Sequence, residues 1–174
     1  DKLDYLHEMG VTALYLNPIF ESPSNHKYDT TDYSLIDDAF GDVQTFITLT
    51  QELHNRGMHL ILDGVFNHTS SDSMYFDRYG RYGADGACES LTSPYRSWYY
   101  FRPASTPGTG VCAGDTTYEA WWGFDSLPKL NTTNVPALRT YIYSDTNAIA
   151  RYWLTQGADG WRLDVAGDVD ASFW

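Results

Sequence analysis

The chain has 174 residues, 43% of them apolar and 20% charged, a composition that supports a folded core and excludes an intrinsically disordered chain. A formal net charge of -12 excludes the basic face that nucleic-acid phosphates demand and suits a neutral or cationic ligand. No apolar run approaches about 18 residues, the length of a membrane-spanning helix, and no signal peptide opens the sequence.

The first residues, "DKLDYLHEMG", carry no initiator Met, and Trp174 ends the chain a few residues past a strand. We therefore expect a segment of a longer protein, and the missing signal peptide leaves export open. Leu3, Leu6 and Met9 make a short helical stripe that Gly10 ends, and "VTALYLNP" (11–18) reads as a buried strand stopped by Pro18. A loop from Glu21 to Gly41 leads to Asp42, the N-cap of a second helix with Phe46, Leu49 and Leu53 inward and Gly57 at its end. "MHLILDGVF" (58–66) is the second strand. The stretch from Thr69 to Thr133, rich in Gly, Ser, Tyr and Trp, is too long for a simple loop and reads as a small subdomain. Asn134 and Pro136 then cap and begin a third helix carrying Leu138, Ile142, Ile149 and Trp153. Gly157 closes it, and "GWRLDVA" is the third strand. Strands joined through helices pair in parallel, so the fold class is α/β.

Two of these strands carry charged or polar groups where a plain core strand would stay apolar. In "GWRLDVAGD" (160–168), Arg162 and Asp164 stand at i and i+2, on one face and roughly 6–7 Å apart, so the two charges meet. Asp63 ends the second strand in "DGVFNH" (63–68), Asn67 and His68 lie just beyond it, and Asn17 ends the first strand. Parallel strands that all finish in polar groups at their carboxyl ends mark the reactive mouth of a barrel or open sheet. Structural uses compete: a turn cap for Asp63, and a buried ion pair for Arg162 with Asp164. The aromatic runs "YRSWYYF" (95–101) and "YEAWWGF" (118–124) serve equally as core or as faces that stack on sugar rings.

Together these residues resemble the α-amylase family of glycoside hydrolases. "DGVFNH" and "GWRLDVAGD" are similar to its first and second signatures, and "LYLNPIF" (14–20) and "LPKLN" (127–131) to two accessory ones. "SPSNHKYDTTDY" (22–33) is similar to the loop that carries the family's stacking tyrosine. All five follow the family's order across the whole chain. The resemblance implies a partial (β/α)8 TIM barrel with an inserted domain B after the third strand. Residues 1–68 would be the barrel part with strands 2 and 3, residues 69–133 domain B, and residues 134–174 the barrel part with helix 3 and strand 4. It further implies Asp164 as the catalytic nucleophile, Arg162 as the guanidinium that orients it, His68 as the hydrogen-bond partner of the sugar at the cleavage subsite, and Tyr28 as the aromatic platform under that ring. Asp63 would buttress the site and Asp29 would support the stacking loop, where a plain turn role competes. A retaining glycosidase holds two carboxyl groups ~5–5.5 Å apart, one attacking the anomeric carbon and the other protonating the leaving oxygen. Arg162 would keep Asp164 ionised, and the acid, a glutamate on the family's next strand, is expected beyond Trp174.

"LPKLN" and "GWRLDVA" are closer to neopullulanase, cyclomaltodextrinase, maltogenic amylase and the amylopullulanases than to animal or fungal α-amylases. The implied function is retaining hydrolysis of α-glucosidic bonds in starch, pullulan or cyclodextrins, with an α-glucan as the partner. A glucanotransferase or isomerase of the same family, or a non-catalytic barrel relative, are the alternatives. No cofactor is implied for the chemistry. A structural calcium ion is compatible with Asn67, which matches a calcium ligand in the amylases, but Lys129 stands where many of them carry a ligating aspartate, and an ammonium cannot ligate a cation. Gly167 departs from the asparagine common in neopullulanase-like enzymes. "NHT" (67–69) and "NTT" (131–133) are weak matches to the glycosylation pattern. Cys88 and Cys112 share one irregular, Gly-rich region, either as a disulfide in an oxidising compartment or as two free thiols. Because they flank "YRSWYYF" in a loop that a bond would stabilise, we expect the disulfide, and with it a secreted, extracellular protein rather than a cytoplasmic one. The sequence leaves the oligomeric state unknown.

Overall fold

The computed structural model of the chain describes residues 2–83, 85–133 and 135–174; the expected cap Asn134 lies outside them. Helix α1 (Leu3–Glu8) carries Asp4 in its first turn and His7 in its last, as the helix dipole favours. Leu3 and Leu6 pack against the core, whereas Met9 falls past the helix end and is exposed, because the chain already turns into Gly10 at φ 84°. Strand β1 (Ala13–Tyr15) is shorter than the apolar run suggested and opens a loop that is not plain: β2 (Phe20–Glu21) and β3 (Asp32–Ile36) pair antiparallel within it. That pairing gives partners to backbone groups which Phe20 and Tyr33, both buried, carry into the core.

Asp42 caps helix α2 (Val43–His54): its carboxylate accepts the Thr45 backbone N–H at 2.7 Å, and Phe46 and Leu53 are buried as the periodicity required. Strand β4 (His59–Gly64) follows, and the main sheet has the parallel order β1, β4, β7, where β7 is Gly160–Leu163. Helices cover the face that bears Leu14, Leu60, Leu62 and Trp161. The opposite face, with Ala13 and Tyr15, stays open, so β1 is not the buried strand its composition suggested. In register, Leu62 faces Trp161 and Asp63 faces Arg162.

Residues 69–133 form an irregular segment around the antiparallel pair β5 (Phe101–Pro103) and β6 (Thr116–Tyr118). Cys88 and Cys112 are bonded there, with their Cα atoms 4.6 Å apart. Tyr75, Phe76, Trp98, Tyr99 and Tyr118 are core: the Phe76 ring lies edge-on to Tyr99 at 4.8 Å and to Tyr118 at 4.6 Å, and Tyr75 stacks on Trp98 at 5.6 Å.

The expected single third helix is broken. Helix α3 (Pro136–Arg139) runs into a π turn over Thr140–Ser144, and α4 (Ile149–Thr155) begins afresh. Asp145 is extended and its side chain accepts the Asn147 N–H at 2.8 Å, so the "SDTN" stretch bonds to its own backbone instead of continuing the helix. Trp153 on α4 is fully buried against Phe20 and Phe46. Gly157 then packs so closely on α2 that a Cβ would stand 2.4 Å from Thr50 Oγ1. Among the described residues no helix is long and apolar enough to cross a membrane.

Candidate active site

The strand ends bring Asp63, Arg162 and Asp164 into one network. Arg162 Nη1 donates to Asp63 Oδ1 at 3.0 Å and Oδ2 at 2.8 Å, and to Asp164 Oδ1 at 2.7 Å. Asp63 also accepts the Tyr28 hydroxyl at 3.0 Å and the Tyr15 hydroxyl. Its side chain is 0% exposed. Asp164 differs: one oxygen is tied to Arg162, the other takes no hydrogen bond from the described residues, and the residue borders a cleft of about 450 Å³. The same cleft is lined by Tyr28, His68, Trp121 and Phe124. Asn17 is exposed and takes no part in the network.

Electrostatics separate the groups further. Burial lifts the Asp164 carboxyl above its ordinary value; the Arg162 hydrogen bond pulls it down, and the charge of Asp63 pushes it up again, so the net direction is upward. Arg162 therefore does not by itself set the charge of Asp164, because it divides its donors between two carboxylates. Burial works against the Arg162 charge, yet its bonds to Asp63 and Asp164 prevail and hold the guanidinium protonated more firmly than usual. Burial, followed by the bond to Asp63, raises Tyr15, and burial raises Tyr28, so both phenols remain donors.

His68 is fixed on two edges. Its Nδ1 accepts from the Asn67 amide at 3.0 Å, which leaves Nε2–H as the donor toward the Tyr28 carbonyl at 3.2 Å. Burial lowers its pKa to about 4, so the ring is neutral at pH 7. The backbone of this turn is held from below: the Tyr33 hydroxyl donates to the carbonyls of Val65 at 2.6 Å and His68 at 3.1 Å. Leu130 N donates to Asn67 O at 2.8 Å, so "LPKLN" matters here as backbone laid beside the His68 turn. Asp29 is buried and accepts the hydroxyls of Ser22, at 2.6 Å, and Ser24, tying together the loop that presents Tyr28.

Asn67 Oδ1 is buried without a donor, the kind of oxygen a cation would satisfy. Calcium takes six to eight oxygens, however, and among the described residues no group of three His, Cys, Asp or Glu gathers to hold a metal. Lys129 Nζ points toward Glu119, 3.9 Å away.

Sequence reasoning did not single out Tyr15, Trp121 or Phe124. Tyr15 lies inside "LYLNPIF", a strand and accessory signature in which no single residue stands out. Trp121 stacks on His68 with centroids 5.3 Å apart, and the density of "YEAWWGF" was its one signal. The chain turns sharply after Asp164: Val165 adopts a left-handed conformation, φ 39°, ψ 43°.

The family described as alpha amylase, catalytic domain, matches residues 1–173. An amylopullulanase from Thermoanaerobacter thermohydrosulfuricus is 49% identical over 194 aligned residues, which cover 100% of this chain and 12% of that protein. Neopullulanase 2 from Thermoactinomyces vulgaris is 43% identical over 175 residues, 100% of this chain and 27% of its own length. Among solved structures, a debranching enzyme from Nostoc punctiforme superposes with a TM-score of 0.80 at 36% identity, over 99% of this chain and 33% of that one. The chain thus spans only a minor part of the relatives it matches.

Proposed function

The chain belongs to the α-amylase catalytic-domain family, and on that footing we propose that the protein carrying it is a retaining glycoside hydrolase acting on α-glucosidic bonds of starch, pullulan or cyclodextrins, with Asp164 as nucleophile. The observation that carries the reading is the contrast between the two carboxylates on Arg162. Asp63 is saturated by Tyr15, Tyr28 and Arg162 and cannot reach a substrate; Asp164 has an oxygen left over and borders the cleft.

In this reading the free Asp164 oxygen attacks the anomeric carbon while the bond to the leaving oxygen breaks, giving a glycosyl ester that water then hydrolyses. Upward pressure on the Asp164 pKa makes its anion a better nucleophile, and Arg162 fixes which oxygen attacks. Tyr28 supplies an apolar ring, and a sugar hydroxyl that displaces the Tyr28 carbonyl takes the Nε2–H of the neutral His68. The proton for the leaving group comes from a carboxylic acid elsewhere in the family's barrel, since Asp164 is the one carboxylate among the described residues that line the cleft. We place the chain at strands 2 to 4 of the (β/α)8 barrel, with residues 69–133 as domain B and Asp29 as the brace of the stacking loop. The Cys88–Cys112 bond supports an extracellular location.

Trapping tests the assignment. The full protein, incubated with a 5-fluoro-α-glucosyl fluoride and digested, is expected to carry the sugar on the peptide containing Asp164. A label on any other residue overturns it.

A further inference from the structure

Trp121 belongs to the inserted segment, yet it touches both strand ends that build the site. Its ring lies over the face of His68, the two planes 24° apart, while Asn67 and Tyr28 hold only the edges of that imidazole. Its indole N–H donates to Asp168 Oδ2 at 2.8 Å, four residues past Asp164. This is a bond to a carboxylate, and so of the stronger kind.

The loop that presents Trp121 is itself closed. Trp121 N donates to Leu127 O at 2.9 Å, Phe124 N to Trp121 O at 3.0 Å, and Leu127 N to Phe124 O at 2.8 Å. Ala120 and Pro128 form a bridge at its neck. Trp122 takes a left-handed conformation at φ 51°, which costs a residue with a side chain roughly 1–2 kcal/mol, and its ring projects into solvent with 81% exposure. A turn that accepts this cost to aim the neighbouring indole into the cleft is built for a purpose at that cleft.

We propose that Trp121 is a positioning and specificity-determining residue of the cleft: its ring fixes the face of His68, and its bond to Asp168 latches the inserted segment onto the turn that follows Asp164. The inference rests on the α-glucan reading above and adds how the inserted segment sets the width of the site. A glucan entering the cleft meets a wall that backbone bonds such as Leu130 N to Asn67 O tie to the His68 side and that the Trp121–Asp168 bond ties to the Asp164 side. Loosening that bond changes which chains fit more than it changes the chemistry.

The test measures kcat and KM of the full protein on maltoheptaose, β-cyclodextrin and pullulan, together with maltoheptaose binding and thermal melts. Trp121→Leu removes ring and latch, and KM is expected to rise about 10-fold with kcat changed less than about 3-fold. Trp121→Phe keeps the ring and is expected to recover most of that loss. Asp168→Ala breaks the same bond from the other side, so Trp121→Phe and Asp168→Ala should each shift the ratio of kcat/KM between β-cyclodextrin and maltoheptaose by about 2- to 5-fold, and the double variant no further. Unchanged KM and substrate ratio in a folded Trp121→Leu, or additive effects in the double variant, overturn the latch. An active wild type with that result leaves the hydrolase reading standing; a wild type that neither cleaves nor binds maltoheptaose overturns both.

Discussion

Asp63 and Asp164 share one guanidinium, and replacing each with Asn should separate their roles. Asp63 has no solvent, and it accepts from Tyr15, Tyr28 and both contacts of Arg162. Asparagine keeps the shape but loses the charge, and its NH2 must face either the donor-only guanidinium of Arg162 or tyrosine hydroxyls that now donate to the carboxylate. Hydrogen bonds to a charged group are worth about 1.5–3 kcal/mol, and breaking a buried pair costs about 3–5. Arg162 is 44% exposed, so water offsets part of its loss, and Asp63→Asn is expected to destabilise by about 2–4 kcal/mol. Asp164→Asn keeps an oxygen for Arg162 and removes a charge that burial disfavours, so its stability should stay within about 1 kcal/mol of the parent or rise. Its turnover, however, should fall by at least about 10³-fold, because the attacking anion is gone. Chemical denaturation and initial rates on pullulan, run on both variants of the full protein, read the two effects. A folded Asp164→Asn with turnover within tenfold of the parent refutes the mechanism. A fully stable but inactive Asp63→Asn would refute the buttress and give Asp63 a chemical role.

Other expected outcomes are more local. Thiol titration of the denatured, unreduced protein should find neither Cys88 nor Cys112 free, and the Cys88→Ser/Cys112→Ser variant should lose about 3 kcal/mol for a sequence separation of 24 residues in the chain-entropy account. At the other end of the sheet, Asp159 accepts from His54 at 2.9 Å, the Leu60 N–H at 2.8 Å and His59 at 3.1 Å. Although burial pulls its pKa up, these bonds prevail and hold it at about 2, below the ordinary 3.8. A depressed carboxyl stabilises fully above its unfolded pKa, so Asp159→Asn should cost up to about 1 kcal/mol at pH 6, discounted for solvent, and the gap to the parent in melting should close as pH falls from about 4 to about 2. Gly157→Ala should destabilise by about 1–3 kcal/mol, since φ is 115° and the new methyl would meet Thr50; an unchanged melt would mean that α2 and α4 slide freely.

How much of this was legible depends on range. The Asp42 cap and the Phe46 and Leu53 stripe need only a few neighbouring residues, and the sequence displayed them. Arg162 meeting Asp164 follows from a period of two along one strand. The break between Ser144 and Ile149 was hidden because Leu138, Ile142, Ile149 and Trp153 keep apolar positions on both sides of it, while the side-chain bond of Asp145 that interrupts the helix leaves no mark on that spacing. The Trp121 contacts join positions 53 and 47 residues apart, with His68 and Asp168, and no local pattern encodes them; density of aromatic residues says that some rings will stack, not which. Asp63 and Asp164 look alike as letters in their strands. The family resemblance alone told them apart; in space it is the parallel pairing, which sets Asp63 opposite Arg162 and not opposite Asp164, that does so.

That single rung of register accounts for the division of labour proposed for the two carboxylates. Gly64 is the last residue of β4, and its carbonyl accepts the Asp164 N–H at 3.1 Å, so Asp164 is pinned one step beyond the last paired rung while Asp63 lies inside it. The inner carboxylate is enclosed by Tyr15 and Tyr28 and becomes a fixed charge that organises Arg162. The outer one, at 9% side-chain exposure, keeps contact with the cleft. To hold it there the chain must leave the strand at once, and Val165 does so in a left-handed conformation that a β-branched residue rarely adopts. A relaxed, extended Val165 would carry the next residues straight on from β7 and away from Trp121. The strain at Val165 and the Trp121–Asp168 bond therefore answer each other: the tight turn brings Asp168 to the indole, and the indole's bond helps to hold the turn.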